Sequence, residues 1–376
     1  MSRRRPAWPP GRSGIVAAAV RTLVISDLHL GSRLERDVLR RPAALAALLE
    51  ALDGVDRLVL LGDAVELMER RATQAMTVAE PVLRAIGARL GADREVILVP
   101  GNHDAPLVRR WLRTTGGPAG IDAPVPPDAT PALARVVGWL GGPGRVRVHY
   151  PGVWLSDRVW ATHGHYLDRH LLPEGGYGVT RGLLGRVPRE SATPAEYEES
   201  SSRSLARVET ALSRAPRPVT AMFDDLSELV RAATMPRLRR RMLRRRFAPL
   251  TAVVLGLQMR RASLPALAHV VHRLGVEADH VIFGHVHRVG PLPGDDLRRW
   301  IGPAGRPAMA NTGAWVYEAI LVHRARPPHP YWPGGAVVVE DGGAPRAVGL
   351  LDHLDGAVLQ PPQTRAGRRG GWADIA

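Results

Sequence analysis

A chain of 376 residues, 45% of them hydrophobic, is long enough to bury a large core in one α/β domain or two smaller ones. It has no cysteine, which excludes disulfides, thiolate metal sites and a cysteine nucleophile and leaves His, Asp, Glu and Asn to hold any metal. Its 51 basic residues are all arginine and give a net charge of +15, which fits either an arginine-favouring genome or an anionic partner.

Residues 1–20 read as a disordered, basic and Pro-rich arm. No apolar segment of the kind a secretory signal needs follows it, and no run reaches the roughly 18 apolar residues of a membrane span. The expected location is therefore cytoplasmic, with peripheral membrane contact as an added option. The ordered core begins near Arg21. Thr22–Ser26 is a short β-branched strand that ends at Asp27. Asp37–Leu52 has helical spacing, and Asp56–Leu61 is a second strand ending in Gly62-Asp63. Met76–Leu90 is helical with Gly91 as its stop, and Glu95–Val99 is a third strand before Gly101-Asn102-His103-Asp104.

Residues 116–131 read as a surface loop. Arg145–Thr162 reads as β-hairpin material that delivers His163-Gly164-His165. Residues 166–275 read as an arginine-rich, mostly helical insertion, with a helix expected at Pro265–Leu274. The core resumes over residues 276–355. Its strand His280–Phe283 delivers Gly284-His285-Val286-His287, and strands follow at Met309–Val316, Ala336–Glu340 and Ala347–Leu351. Residues 356–376 read as a disordered tail. Strand–helix alternation implies an α/β fold, and in such folds ligands gather beyond the carboxyl ends of the strands.

Each polar motif is weak alone, because an Asp-x-His or a Gly-Asp is commonly just a turn. In this order, each at the end of an apolar run, they resemble the signature of the calcineurin-like metallophosphoesterase superfamily from about Thr22 to Val316, apart from the insertion. The resemblance implies a four-layer α/β/β/α sandwich with two mixed sheets and a dinuclear metal site at one end, here with an inserted mostly helical cap. It assigns Asp27, His29 and His287 to a first metal and Asn102, His163 and His285 to a second, with Asp63 bridging. The expected cofactors are two divalent ions, Mn²⁺ first and Fe or Zn²⁺ as alternatives. A bridging carboxylate offsets the repulsion of two cations about 3.5–4 Å apart, and such a pair lowers the pKa of a bridging water.

The implied activity is hydrolysis of a phosphodiester or pyrophosphate bond by in-line attack of a metal-bridging hydroxide. His103 is the expected general acid, with Asp104 hydrogen-bonding its imidazole. Glu66, His165 and Asn311 are expected around the ligands, with structural support as the simpler role for Glu66 and Asn311.

The insertion carries 19 Arg against 10 acidic residues, and Arg237–Arg246 has seven arginines in ten positions. This suits a cap that draws in a phosphorylated small-molecule or lipid-linked substrate, or peripheral contact with anionic lipid through residues 237–259. The capped layout resembles the UDP-diacylglucosamine pyrophosphohydrolases, although His103 stands where that group has Arg. A superfamily nuclease is the alternative. A non-catalytic scaffold ranks below both, because none of the expected ligands is missing.

Overall fold

The computed structural model describes residues 20–32, 35–69, 71–171, 192–199, 262–322 and 324–361. Strand alternation sets its layering, because successive side chains in a strand face opposite sides of the sheet. In β1 (Arg21–Ile25), Leu23 and Ile25 enter one core and Val24 enters another. β2 (Arg57–Leu61) repeats the division with Leu58 and Leu60 against Val59 and Leu61, and β3 (Glu95–Val99) with Val96 and Leu98 against Ile97 and Val99. Strands apolar on both faces must be covered on both faces, which is the condition for a multilayer sandwich.

Seven strands form the larger sheet. β4 (Ala123–Val125), β5 (Val146–Tyr150), β10 (Gly335–Glu340) and β11 (Arg346–Gly349) join the first three in the order β11-β10-β1-β2-β3-β5-β4. Its centre, β1-β2-β3-β5, is parallel, and its edges are antiparallel. The smaller sheet is β6 (Gly152–Trp154), β7 (Val159–Thr162), β8 (His280–Phe283) and β9 (Ala308–Asn311), with β7-β8-β9 parallel. The sheets meet through Val24, Val59, Ile97 and Val337 on one side and Val159, Ala161, Ile282 and Ala310 on the other.

Helices α1 (Pro42–Ala51), α2 (Ala72–Leu90), α3 (Arg109–Thr115) and α4 (Pro131–Trp139) lie in the stretches linking the large sheet's strands. Through Leu48, Leu83 and Leu133, the first, second and fourth share the outer core of that sheet. A four-residue turn, α5 (Asp168–Leu171), follows β7. Helix α6 (Leu264–Arg273) covers the outer face of the small sheet, where Leu264, Leu267 and Val271 share a core with Trp160, Val281 and Phe283. The result is an α/β/β/α sandwich.

Five boundaries differ from the sequence reading. The 116–131 loop contains β4, an edge strand in which Pro124 is tolerated because an edge leaves one side of the ladder unpaired. The 145–162 stretch is no single hairpin. β5 belongs to the large sheet, and the chain crosses to the small one at Pro151 before β6 pairs with β7. The helix expected over 37–52 is broken at Arg41, whose extended backbone leads into Pro42 at the first helical position. The end of the expected insertion, α6, is part of the small sheet's core, and Leu359 at the start of the expected tail is fully buried.

The arginine-rich 237–259 stretch and the distal tail lie outside the described residues. No helix among the described residues is long and apolar enough to cross a membrane. Phe283 anchors the small sheet to α6 and is wholly buried. Phe283→Ala should therefore cost about 3–5 kcal/mol in urea unfolding, as a cavity in a packed core does.

Candidate metal centre

Parallel strands end together, and that places the polar motifs. Asp27 follows β1, Asp63 follows β2 and Asn102 follows β3. His163 and His285 follow β7 and β8 of the other sheet. Backbone bonds tie the loops to one another: Asp27 N–H donates to the Gly62 carbonyl, His29 N–H to Asp63, and Gly284 N–H to His163.

The approach is tight. A Cβ on Gly62 would collide with the His163 ring, and Gly62 has a φ of +87°. Five of the expected ligands, Asp27, His29, Asp63, His285 and His287, also have φ between +45° and +69°. This left-handed backbone costs an L-residue of order 1–2 kcal/mol.

Among the described residues, three groups of side chains come within reach of a single ion: Asp27, His29 and His287; Asp63, His163 and His285; and His29, Asp63 and His103. In the first, His287 Nε2 lies 3.2 Å and His29 Nε2 3.8 Å from Asp27 Oδ1. In the second, His163 Nε2 lies 3.1 Å from Asp63 Oδ2 and 3.0 Å from Asn102 Oδ1. Asp63 Oδ2 is also 3.8 Å from His29 Nε2, so this one oxygen faces both groups. Its other oxygen is fixed by the His103 N–H at 2.8 Å.

The donor set fits cations. Asp27 is fully buried. Its Oδ2 accepts from Ser26 and from the His285 N–H, while Oδ1, buried with the His287 imidazole at 3.2 Å, has no well-aligned hydrogen bond among the described residues. A buried carboxylate oxygen without a good hydrogen bond is costly unless a positive charge faces it. His163 Nδ1–H donates to the Leu61 carbonyl at 3.0 Å, which leaves the lone pair on Nε2 facing two acceptor oxygens. Acceptor against acceptor calls for a proton or a cation between them.

The electrostatics agree. Burial works against the charged form of His29, but the Asp27 and Glu66 carboxylates and the charge of Asp63 outweigh it and raise its pKa to about 10. His163 rises to about 9 because Asp63 overrides the same burial. Burial opposes ionisation of Asp27 and Asp63 too, yet the surrounding imidazoles hold both well below the usual carboxylate range.

Glu66 performs the task the sequence reading gave to Asp104. It is fully buried and bonds His29 Nδ1 at 2.8 Å and His103 Nδ1 at 2.9 Å, while the Met68 and Glu69 N–H groups donate to it. Burial raises its pKa, but the two histidines bring it down to about 2. In turn Glu66 and Asp63 raise His103 against its burial. Asp104 does not touch the His103 ring. Its carboxylate turns back to accept from the Gly101 and Ala64 N–H groups, and burial and the charge of Asp63 push its pKa up to about 6. It fixes the loops that carry Asp63 and Asn102.

Asn311 is also fully buried and donates to the Gly284 carbonyl at 2.7 Å, just ahead of His285. His165 stands beside His163, with 5.7 Å between ring centroids, and its Nε2 lies 3.2 Å from Tyr150 Oη. Tyr150 and Tyr166 both donate to Glu198, in the helical residues 194–199.

Among residues the sequence reading passed over, Asp168 lies 2.8 Å from His285 Nε2. Its only sequence signal is its place five positions after His163. His149, His269, His272, His329 and His353 belong to none of the three groups.

Residues 20–183 match the family model for calcineurin-like phosphoesterases. The matched range ends before His285 and His287, which the small sheet returns to the same rim. No curated protein matches the chain.

Cation binding must displace protons from His29 and His163. Calorimetric titration with Mn²⁺ should show affinity falling as pH drops from about 8 to about 6, with proton release detected as a dependence on buffer ionisation enthalpy. Gly62→Ala should destabilise the apoprotein by about 1–3 kcal/mol and weaken Mn²⁺ binding, since the backbone strain and the collision with His163 act together.

Proposed function

We propose that this chain, which carries a calcineurin-like phosphoesterase domain over residues 20–183, is a metal-dependent phosphoric ester hydrolase that cleaves a phosphodiester or pyrophosphate bond. The observation that carries the reading is the meeting of acceptors at one rim: the orphaned Asp27 Oδ1, and Asp63 Oδ2 facing both His29 and His163. Asp27, His29 and His287 would hold one cation and Asn102, His163 and His285 a second, with Asp63 shared. When bound, such a pair supplies Lewis-acid stabilisation of phosphoryl oxygens and lowers the pKa of water.

The chain's own groups do the rest. Glu66 holds His103 through Nδ1, so Nε2 is the nitrogen free to face substrate. From Nε2, His103 gives its proton to the departing alkoxide or phosphate oxygen. Because Glu66 bonds His29 as well, one carboxylate sets the orientation of a cation ligand and of the acid together. Asp104 and Asn311 keep the loops in register, so the reacting geometry needs no rearrangement on binding.

A panel of aryl phosphodiesters, phosphomonoesters and nucleotide-sugar pyrophosphates, assayed with Mn²⁺, tests the reading. Diester or pyrophosphate turnover should exceed monoester turnover and vanish on chelation. His103→Ala should lower kcat by about 10²–10⁴-fold, and Asp63→Ala should abolish turnover. Undiminished activity in either variant would place the chemistry elsewhere.

A further inference from the structure

Each cation ligand with an imidazole must present a lone pair, and a partner on its other nitrogen decides which one. His29 is held through Nδ1 by Glu66, and His163 through Nδ1 by the Leu61 carbonyl. His285 is held through the opposite nitrogen, Nε2, by Asp168 Oδ1 at 2.8 Å. We infer that Asp168 is a positioning residue for the second cation: it fixes His285 as the tautomer protonated on Nε2, with its lone pair on Nδ1, and so sets affinity at that position. The inference rests on the two-cation reading above.

The surroundings suit the role. Gly164, with a φ of +103°, turns the chain after His163, and the Leu167 N–H closes that turn onto the Gly164 carbonyl. Five residues after His163, the same short segment therefore brings a carboxylate to the other histidine of the same cation. The segment is firmly seated. Tyr166 and Leu167 are buried, Tyr166 donates to Glu198 at 2.7 Å, and its ring stacks on Tyr197 with 4.8 Å between centroids. The backbone N–H of His285 donates to Asp27, which leaves its ring to find a partner elsewhere. Asp168 is the one acceptor that the described residues place on its ring nitrogen.

The test is Mn²⁺ titration of the full chain, with bound metal counted after dialysis. The wild type should take up two ions. Asp168→Ala should keep one with unchanged affinity and bind the other about 10–100-fold more weakly, with the apoprotein's melting temperature unaltered. Asp168→Asn, which can still accept from Nε2–H, should recover part of the loss. Two ions bound by Asp168→Ala at wild-type affinity would overturn the inference while leaving the two-cation reading intact. Equal weakening of both ions together with a lower apoprotein melting temperature would also overturn it, since that marks a structural role. A wild-type chain that fails to bind two ions overturns the two-cation reading, and this inference falls with it.

Discussion

Asp27 and Asp63 are buried side by side by the geometry of parallel strands, and each raises the cost of ionising the other. A carboxylate pair without compensation would stay partly protonated there. The surrounding imidazoles reverse this and hold both acids ionised. The compensation is incomplete in geometric terms, since Asp27 Oδ1, although 3.2 Å from His287 Nε2, finds no well-aligned hydrogen bond among the described residues. Everything else at the rim follows from this concentration of buried negative charge: four histidines turned inward, Glu66 behind two of the rings, and glycines wherever a Cβ would block the approach.

The same concentration explains the backbone. Five of the expected ligand residues sit in the left-handed region, where only glycine is at ease. Such strain persists only where the rest of the fold determines the loop ends, and here two sheets do so through an interior of alternating Val, Ile and Leu. Sandwich and site are thus coupled. The sheets hold the strained turns in place, and a cation would offset the electrostatic cost of what the turns bring together.

Much of this was legible in the sequence because the signals were short and local. Thr22–Ser26, Asp56–Leu61 and Glu95–Val99 are apolar runs that each stop at a polar residue, so both the strands and the rim could be read from pattern. What escaped notice depended on where the chain turns after a strand. Asp104 adjoins His103 in sequence but bends back onto the Gly101 and Ala64 amides, leaving Glu66, from another loop, to reach the imidazole. Asp168 escaped because a tight turn, not a periodic pattern, carries it to His285. The crossing at Pro151 escaped because a strand pair reads the same whether its members share a sheet or divide between two. The arginine cluster at 237–246, the most conspicuous compositional signal, falls outside the described residues and leaves the choice of substrate to chemistry.

The central claim is that Asp63 is shared by two cations. Electron paramagnetic resonance of the protein loaded with Mn²⁺ tests it directly, because two ions joined by one carboxylate couple magnetically. The account predicts the multiline spectrum of an exchange-coupled pair, converting to the six-line spectrum of isolated Mn²⁺ in Asp63→Ala. An isolated six-line spectrum from the fully loaded wild type would contradict it.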